Sequence, residues 1–140
     1  MLIIEENKKY YSMFLKFQSQ DQRRKYGGSC FIELQFCKLP SGTKTDCIFN
    51  GYNHWQNESL YVYDNEQGAF YQKYKDIIGS GIHHNMSEGY FDTWGVTYYG
   101  PEKIEDIESR LKEDKPEGYE LLLSWFEEAK QYNGFYILGV

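Results

Sequence analysis

The sequence predicts an α+β fold, and three observations carry that prediction. Stretches rich in Tyr, Phe, Ile and Val recur between residues 29 and 99 with the alternation of half-buried strands. Two stretches opened by Pro101 and Pro116 then carry apolar residues at helical spacing. The chain closes on Phe135-Tyr136-Ile137-Leu138-Gly139-Val140, a run that reads as a buried strand. The 140 residues contain no internal repeat, linker or low-complexity tract, so we expect one α+β domain over 1–140. Its expected form is an antiparallel or mixed sheet of about four to five strands with the two C-terminal amphipathic helices packed on it.

Residues 8–26 carry two patterns. Tyr10, Phe14 and Phe17 fit a helical stripe, whereas Tyr11, Met13, Leu15 and Phe17 alternate like a strand. The helix is the reading taken, ending in Arg23-Arg24-Lys25 before Gly27-Gly28. Residues 29–38 read as a strand with Cys30, Ile32, Leu34 and Phe36 inward and Glu33 and Gln35 on the other face. Pro40-Ser41-Gly42 predicts a turn, residues 46–52 a second strand and residues 59–63 a third, joined by a hairpin-length connection. Residues 66–78 predict a short helix with Phe70, Tyr74, Ile77 and Ile78 on one side. Residues 79–85 read as a flexible loop and residues 90–99 as a fourth strand. Ile104, Ile107 and Leu111 then mark one helix, and Leu122, Trp125, Phe126 and Ala129 another, with Gly134 at its C-terminal cap.

Composition narrows the function classes. An apolar fraction of 41% excludes wholesale disorder, and no run approaches the ~20 apolar residues of a membrane helix. Aromatics make up 19% of the chain, so Tyr either fills strands and helix flanks or forms a binding surface. Cys30, Cys37 and Cys47 are odd in number and suggest no disulfide framework, and Cys30 is expected to face the core. The first residues place Glu5 and Glu6 where a secretory signal needs positive charge. Reduced thiols in a cytoplasmic setting are the expectation.

The net charge of -6 argues against direct nucleic-acid binding, which needs Lys and Arg against phosphates. That charge is localised. Residues 1–70 hold 8 basic and 8 acidic groups, whereas residues 101–128 hold 10 acids and 4 bases, a difference of -6. With Ile104, Ile107 and Leu111 inward, Glu102, Asp106 and Glu113 point almost opposite, and Glu105 lies on the flank. On the second helix Glu120, Glu127 and Glu128 lie away from Trp125 and Ala129. A solvated face accounts for this pattern, and so does a negative surface that meets a basic partner.

Catalytic signals are weak. His83 and His84 are adjacent, so their side chains diverge instead of sharing one ion, and Glu88 does not complete a helical metal motif. His54 suits a turn more than a general base. No local motif pairs Cys37 or Cys47 with a histidine, and neither Gly27-Gly28 nor Gly79-Ser80-Gly81 matches a phosphate-binding fingerprint. Arg23-Arg24-Lys25 reads as a solvated helix end. No enzyme activity, cofactor or metal is expected.

Three pieces together resemble immunity proteins of bacterial polymorphic toxin and contact-dependent growth inhibition systems. They are Phe49-Asn50-Gly51-Tyr52-Asn53-His54, the strand Leu60-Tyr61-Val62-Tyr63, and the close from Trp125-Phe126-Glu127-Glu128-Ala129 to Phe135-Tyr136-Ile137-Leu138-Gly139. The resemblance implies a cytosolic antidote that binds one cognate toxin domain, commonly a nuclease, and blocks its active site. The binding residues come from the charge map instead: Glu102, Glu105, Asp106 and Glu113, with Tyr98, Tyr99 and Trp94 as apolar anchors. The alternatives are a small hydrolase or nuclease using His54, His83 or His84, and a protein-binding adaptor module.

Overall fold

The computed structural model describes residues 13–28, 30–53 and 55–139. Seven strands form one sheet. They are β1 (Phe14–Leu15), β2 (Phe31–Phe36), β3 (Leu60–Tyr63), β4 (Gly81–His83), β5 (Glu88–Gly89), β6 (Val96–Tyr99) and β7 (Phe135–Leu138). Their order is β1-β3-β2-β7-β6-β4-β5 and every pairing is antiparallel. Four α-helices accompany them among the described residues: α1 (Gln20–Gly27), α2 (Gln67–Ile78), α3 (Ile104–Asp114) and α4 (Tyr119–Ala129). No described helix is long and apolar enough to cross a membrane. The α+β expectation therefore holds, with more strands than the four to five expected.

One sheet face packs against α2, α3 and α4. Ile32, Leu34 and Phe36 of β2, Leu60 and Val62 of β3, and Phe135 and Ile137 of β7 meet Phe70, Ile107, Leu111, Leu122 and Phe126 there. The packing is largely aromatic. Phe36 lies flat between Trp125 and Tyr132, with ring centroids 4.4 and 4.6 Å away, and Phe135 stacks on Tyr99 at 4.9 Å. Trp125 Nε1 donates to the Glu58 carbonyl at 2.9 Å, so its one polar atom is satisfied while its rings stay buried.

The opposite face is covered too, which the alternation in β2 does not show. All six β2 residues are buried, so Glu33 and Gln35 lie under protein and not in water. Leu15, Phe17, Phe31 and Tyr61 form a second cluster there, and Cys37, Ile48, Phe49, Tyr98 and Tyr136 a third. The Cys37 thiol is satisfied in that third cluster: the Tyr136 hydroxyl donates to the Ile48 carbonyl at 2.5 Å and lies 3.2 Å from Cys37 Sγ.

Several expected elements resolve differently. Within 8–26 the alternating pattern wins at residues 13–17. Phe14 pairs with Val62 and Leu15 with Tyr61, so the sheet claims them. Ser19 then starts α1, its hydroxyl accepting from the Gln22 N–H at 3.1 Å. Residues 8–12 lie outside the described residues. Cys30 precedes β2 and is exposed, contrary to its expected place in the core. The strand expected at 46–52 is a 3₁₀ turn, Thr45–Asn50. Its apolar residues, Ile48 and Phe49, are adjacent instead of alternating, and a tight turn buries both on one side.

The loop expected at 79–85 contains β4. Gly81 allows this, because a Cβ there would come 2.8 Å from the Thr97 and Tyr99 side chains. The strand expected at 90–99 keeps only Val96–Tyr99. Asp92 Oδ1 accepts from the Trp94 N–H at 2.9 Å, and that local turn chemistry takes the earlier residues. Pro101 opens a 3₁₀ turn that feeds α3, and Pro116 opens the turn before α4. Gly134 has φ 85° and backs onto the Tyr99 carbonyl, so β7 enters the middle of the sheet where a side chain has no room.

Candidate partner-binding surface

The amphipathic pattern of α3 places its acids as expected. Ile104, Ile107 and Leu111 are buried, while Glu105, Asp106 and Glu113, and Glu102 in the preceding turn, are exposed. None of the four has an ion-pair partner among the described residues. Glu102 and Asp106 stand four residues apart and repel by about 0.2–0.5 kcal/mol, too little to disturb a helix held by its buried stripe.

The acids of α3 and α4 do not all behave alike. Glu108 is buried, and its carboxylate meets the Lys130 ammonium at 2.9 Å. Lys130 also meets Glu127 at 2.9 Å and holds that carboxyl below its ordinary range. Glu120, Glu127 and Glu128 are exposed along α4, the side the sequence assigned to them.

The aromatic anchors need correction. Tyr99 is fully buried, stacked on Phe135, and its hydroxyl donates to the Gly79 carbonyl at 2.8 Å. Tyr98 is 8% exposed, and its hydroxyl donates to the Asn133 carbonyl at 2.6 Å. Both lie in β6, a strand covered on its two faces, so neither serves as a surface anchor. Trp94 is 76% exposed, presented by the Asp92 turn before β6.

The histidines do not converge. His83 Nε2 donates to the Tyr90 carbonyl at 2.8 Å and Nδ1 lies 3.2 Å from the Ser87 hydroxyl, which ties the ring into the β4–β5 hairpin. The His84 ring turns toward Phe49, with centroids 4.9 Å apart. His54 lies outside the described residues. Among the described residues no three His, Cys, Asp or Glu side chains come together as a metal site. Cys47 is exposed, but Asp46 beside it pushes its thiol pKa up, which suppresses the thiolate a nucleophile needs.

Sequence reasoning missed a buried polar group on the far side of the sheet. Glu33 Oε2 accepts from Gln35 Nε2 and from the Ser59 hydroxyl, each at 2.7 Å, and Oε1 lies 3.7 Å from Arg23 Nη1. The Arg23 guanidinium packs over Trp55 and Tyr61, at 5.5 and 5.4 Å from the ring centroids. Gln35 also exchanges two hydrogen bonds, both 2.8 Å, with the Asn53 backbone. Burial raises the Glu33 pKa above its usual range, and the hydrogen bonds and Arg23 oppose that rise. The group fastens α1 and the segment around Asn53 to β2. Its one signal in the sequence was the polar alternation of Glu33 and Gln35, which reads equally well as an exposed strand face. Compared with known proteins, the chain matches no family model, no curated protein and no solved structure.

Proposed function

We propose that the chain is a non-enzymatic immunity protein that binds a cognate toxin domain, a nuclease in the first instance, and covers its active site. The observation that supports this reading best is the row Glu102, Glu105, Asp106 and Glu113. It consists of exposed carboxylates without ion-pair partners among the described residues, mounted on a helix whose other side is locked into the core. A nuclease gathers Lys and Arg where it holds phosphates, and a fixed array of carboxylates occupies those positions in the substrate's place. Trp94 is the one predicted anchor on the surface, and it supplies an apolar contact of the kind that dominates interface energetics.

The engagement of both His83 nitrogens within its own hairpin favours this reading over a histidine-dependent hydrolase. The test is growth rescue. Cells expressing the C-terminal toxin domain encoded beside this chain should survive when the chain is co-expressed. Rescue should fail, and the salt dependence of binding should flatten, when Glu102, Glu105, Asp106 and Glu113 are all changed to Lys. Unchanged affinity and unchanged salt dependence in that variant would refute the role of the α3 face.

A further inference from the structure

The outer side of α4 differs from the acidic row of α3 in having an apolar floor. Glu120, Leu123 and Glu127 recur at three- and four-residue spacing and share one side of the helix, and Glu128 follows on the adjoining flank. With Glu108 and Lys112 of α3 they line an open groove of about 850 Å³. Leu123 and Tyr119, both half-buried against the core, form its floor. The charges of the walls are unevenly balanced. Lys130 is shared between Glu108 and Glu127, so Glu120 and Glu128 have no ion-pair partner among the described residues. Four carboxylates face two ammoniums, Lys112 and Lys130, which leaves the groove negative.

Resting on the immunity reading, we propose that this groove receives an amphipathic basic helix of the partner. An apolar residue of that helix seats on Leu123 and Tyr119, and Lys or Arg residues one turn to either side meet Glu120 and Glu128. Two features select this occupant. The valley between two packed helices accepts a third helix at the ordinary interaxial distance of about 8–10 Å. The apolar floor between acidic walls matches a helix that carries apolar and basic side chains at three- and four-residue spacing, the helix-in-groove mode of recognition. A polybasic coil would satisfy the walls and leave Leu123 uncovered, and an apolar helix would bury Glu120 and Glu128 unpaired.

The test titrates the full ¹⁵N-labelled chain with a synthetic Leu/Lys peptide of about 16 residues whose Leu residues follow helical spacing, beside a scrambled peptide of equal composition. Resonances within 108–131 should move. The scrambled peptide should bind roughly tenfold more weakly, and so should the helical peptide to a Glu120→Lys/Glu128→Lys variant whose circular dichroism matches the parent. Equal binding of the scrambled peptide would overturn the proposal, because it would mean attraction by charge alone. Movement confined to the Glu102–Asp106 face, or undiminished binding to the double variant, would overturn it as well. Growth rescue separates the two levels. Full rescue by the double variant removes the groove and leaves the immunity reading. Specific peptide binding without rescue by the parent chain removes the immunity reading and leaves the groove.

Discussion

Replacing Arg23 by Met leaves Glu33 buried beside Tyr61 without its cation, and the size of the effect follows from the geometry. At 3.7 Å the pair attracts by about 4.5 kcal/mol at an effective dielectric constant near 20. Glu33 has an alternative to remaining charged, however: it takes up a proton. Starting from the ordinary value of 4.5, protonation at pH 7 costs about 3.4 kcal/mol, at 1.36 kcal/mol per unit. That figure, less the part the parent already carries because its Glu33 pKa is raised, caps the loss that runs through Glu33. The cap shrinks as pH falls and vanishes near 4.5. The sign in the parent protein is the same. A carboxyl whose folded pKa is raised holds its proton more tightly when folded, so its contribution is fully present below the unfolded value and is lost as pH rises through the folded one.

Urea unfolding of Arg23→Met should therefore show a deficit of about 1–2 kcal/mol at pH 7 beyond the loss of the guanidinium's ring contacts. Most of that deficit should disappear by about pH 4.5, and the companion Arg23→Met/Glu33→Gln variant should show no such pH dependence. A deficit equal at both pH values would refute the claim that Arg23 and Glu33 are coupled.

Three other outcomes follow from the same structure. Phe36→Ala removes a ring clasped between Trp125 and Tyr132, and should cost about 3–5 kcal/mol in urea unfolding with little change in the denaturant slope. Trp94→Ala should shift stability by less than about 0.5 kcal/mol and, if the chain is the immunity protein proposed above, weaken binding of the cognate toxin by about 2 kcal/mol or more in titration calorimetry. The fourfold Lys reversal on α3 should slow association more than it speeds dissociation, measured by surface plasmon resonance across a salt series.

The sequence made the helical third of the molecule the most legible. Ile104, Ile107, Leu111, Leu122, Trp125, Phe126 and Ala129 are all buried as their spacing requires. A helix presents one face to the core, so its period alone sorts its residues. The sheet was harder to read because both of its faces are covered. Alternation then stops separating inside from outside, and Glu33, Gln35, Tyr98 and Tyr99 are buried whichever way they point. The strand expected at 46–52 failed for a different reason. Ile48 and Phe49 carry β-type composition without its period, and composition is the weaker guide. Gly81 and Gly134 look like loop residues in isolation. Only the neighbouring strand or carbonyl explains why each belongs inside a tightly packed sheet.

The acids of α3 can be divided by what the helix itself gains from them. Glu105 and Asp106 occupy its first turn, where the unpaired N–H groups and the positive end of the dipole favour negative charge. Helix stability favours these two positions whether or not a partner binds, so exposure alone does not separate the two roles there. Glu113 stands in the last turn, where the dipole disfavours it, and Lys112 alone supplies the basic residue usual there. Changing Glu113 to Lys should therefore stabilise the protein slightly, by about 0.5 kcal/mol at low salt, whereas changing Glu105 or Asp106 should destabilise it by a similar amount. A solvated face predicts only these opposite effects on stability, because its charges have no other role. A binding face predicts that all three reversals weaken the complex in the same direction. Measuring stability and toxin affinity on the same three single variants separates the alternatives, and a Glu113→Lys variant that gains stability without losing affinity would remove Glu113 from the binding surface.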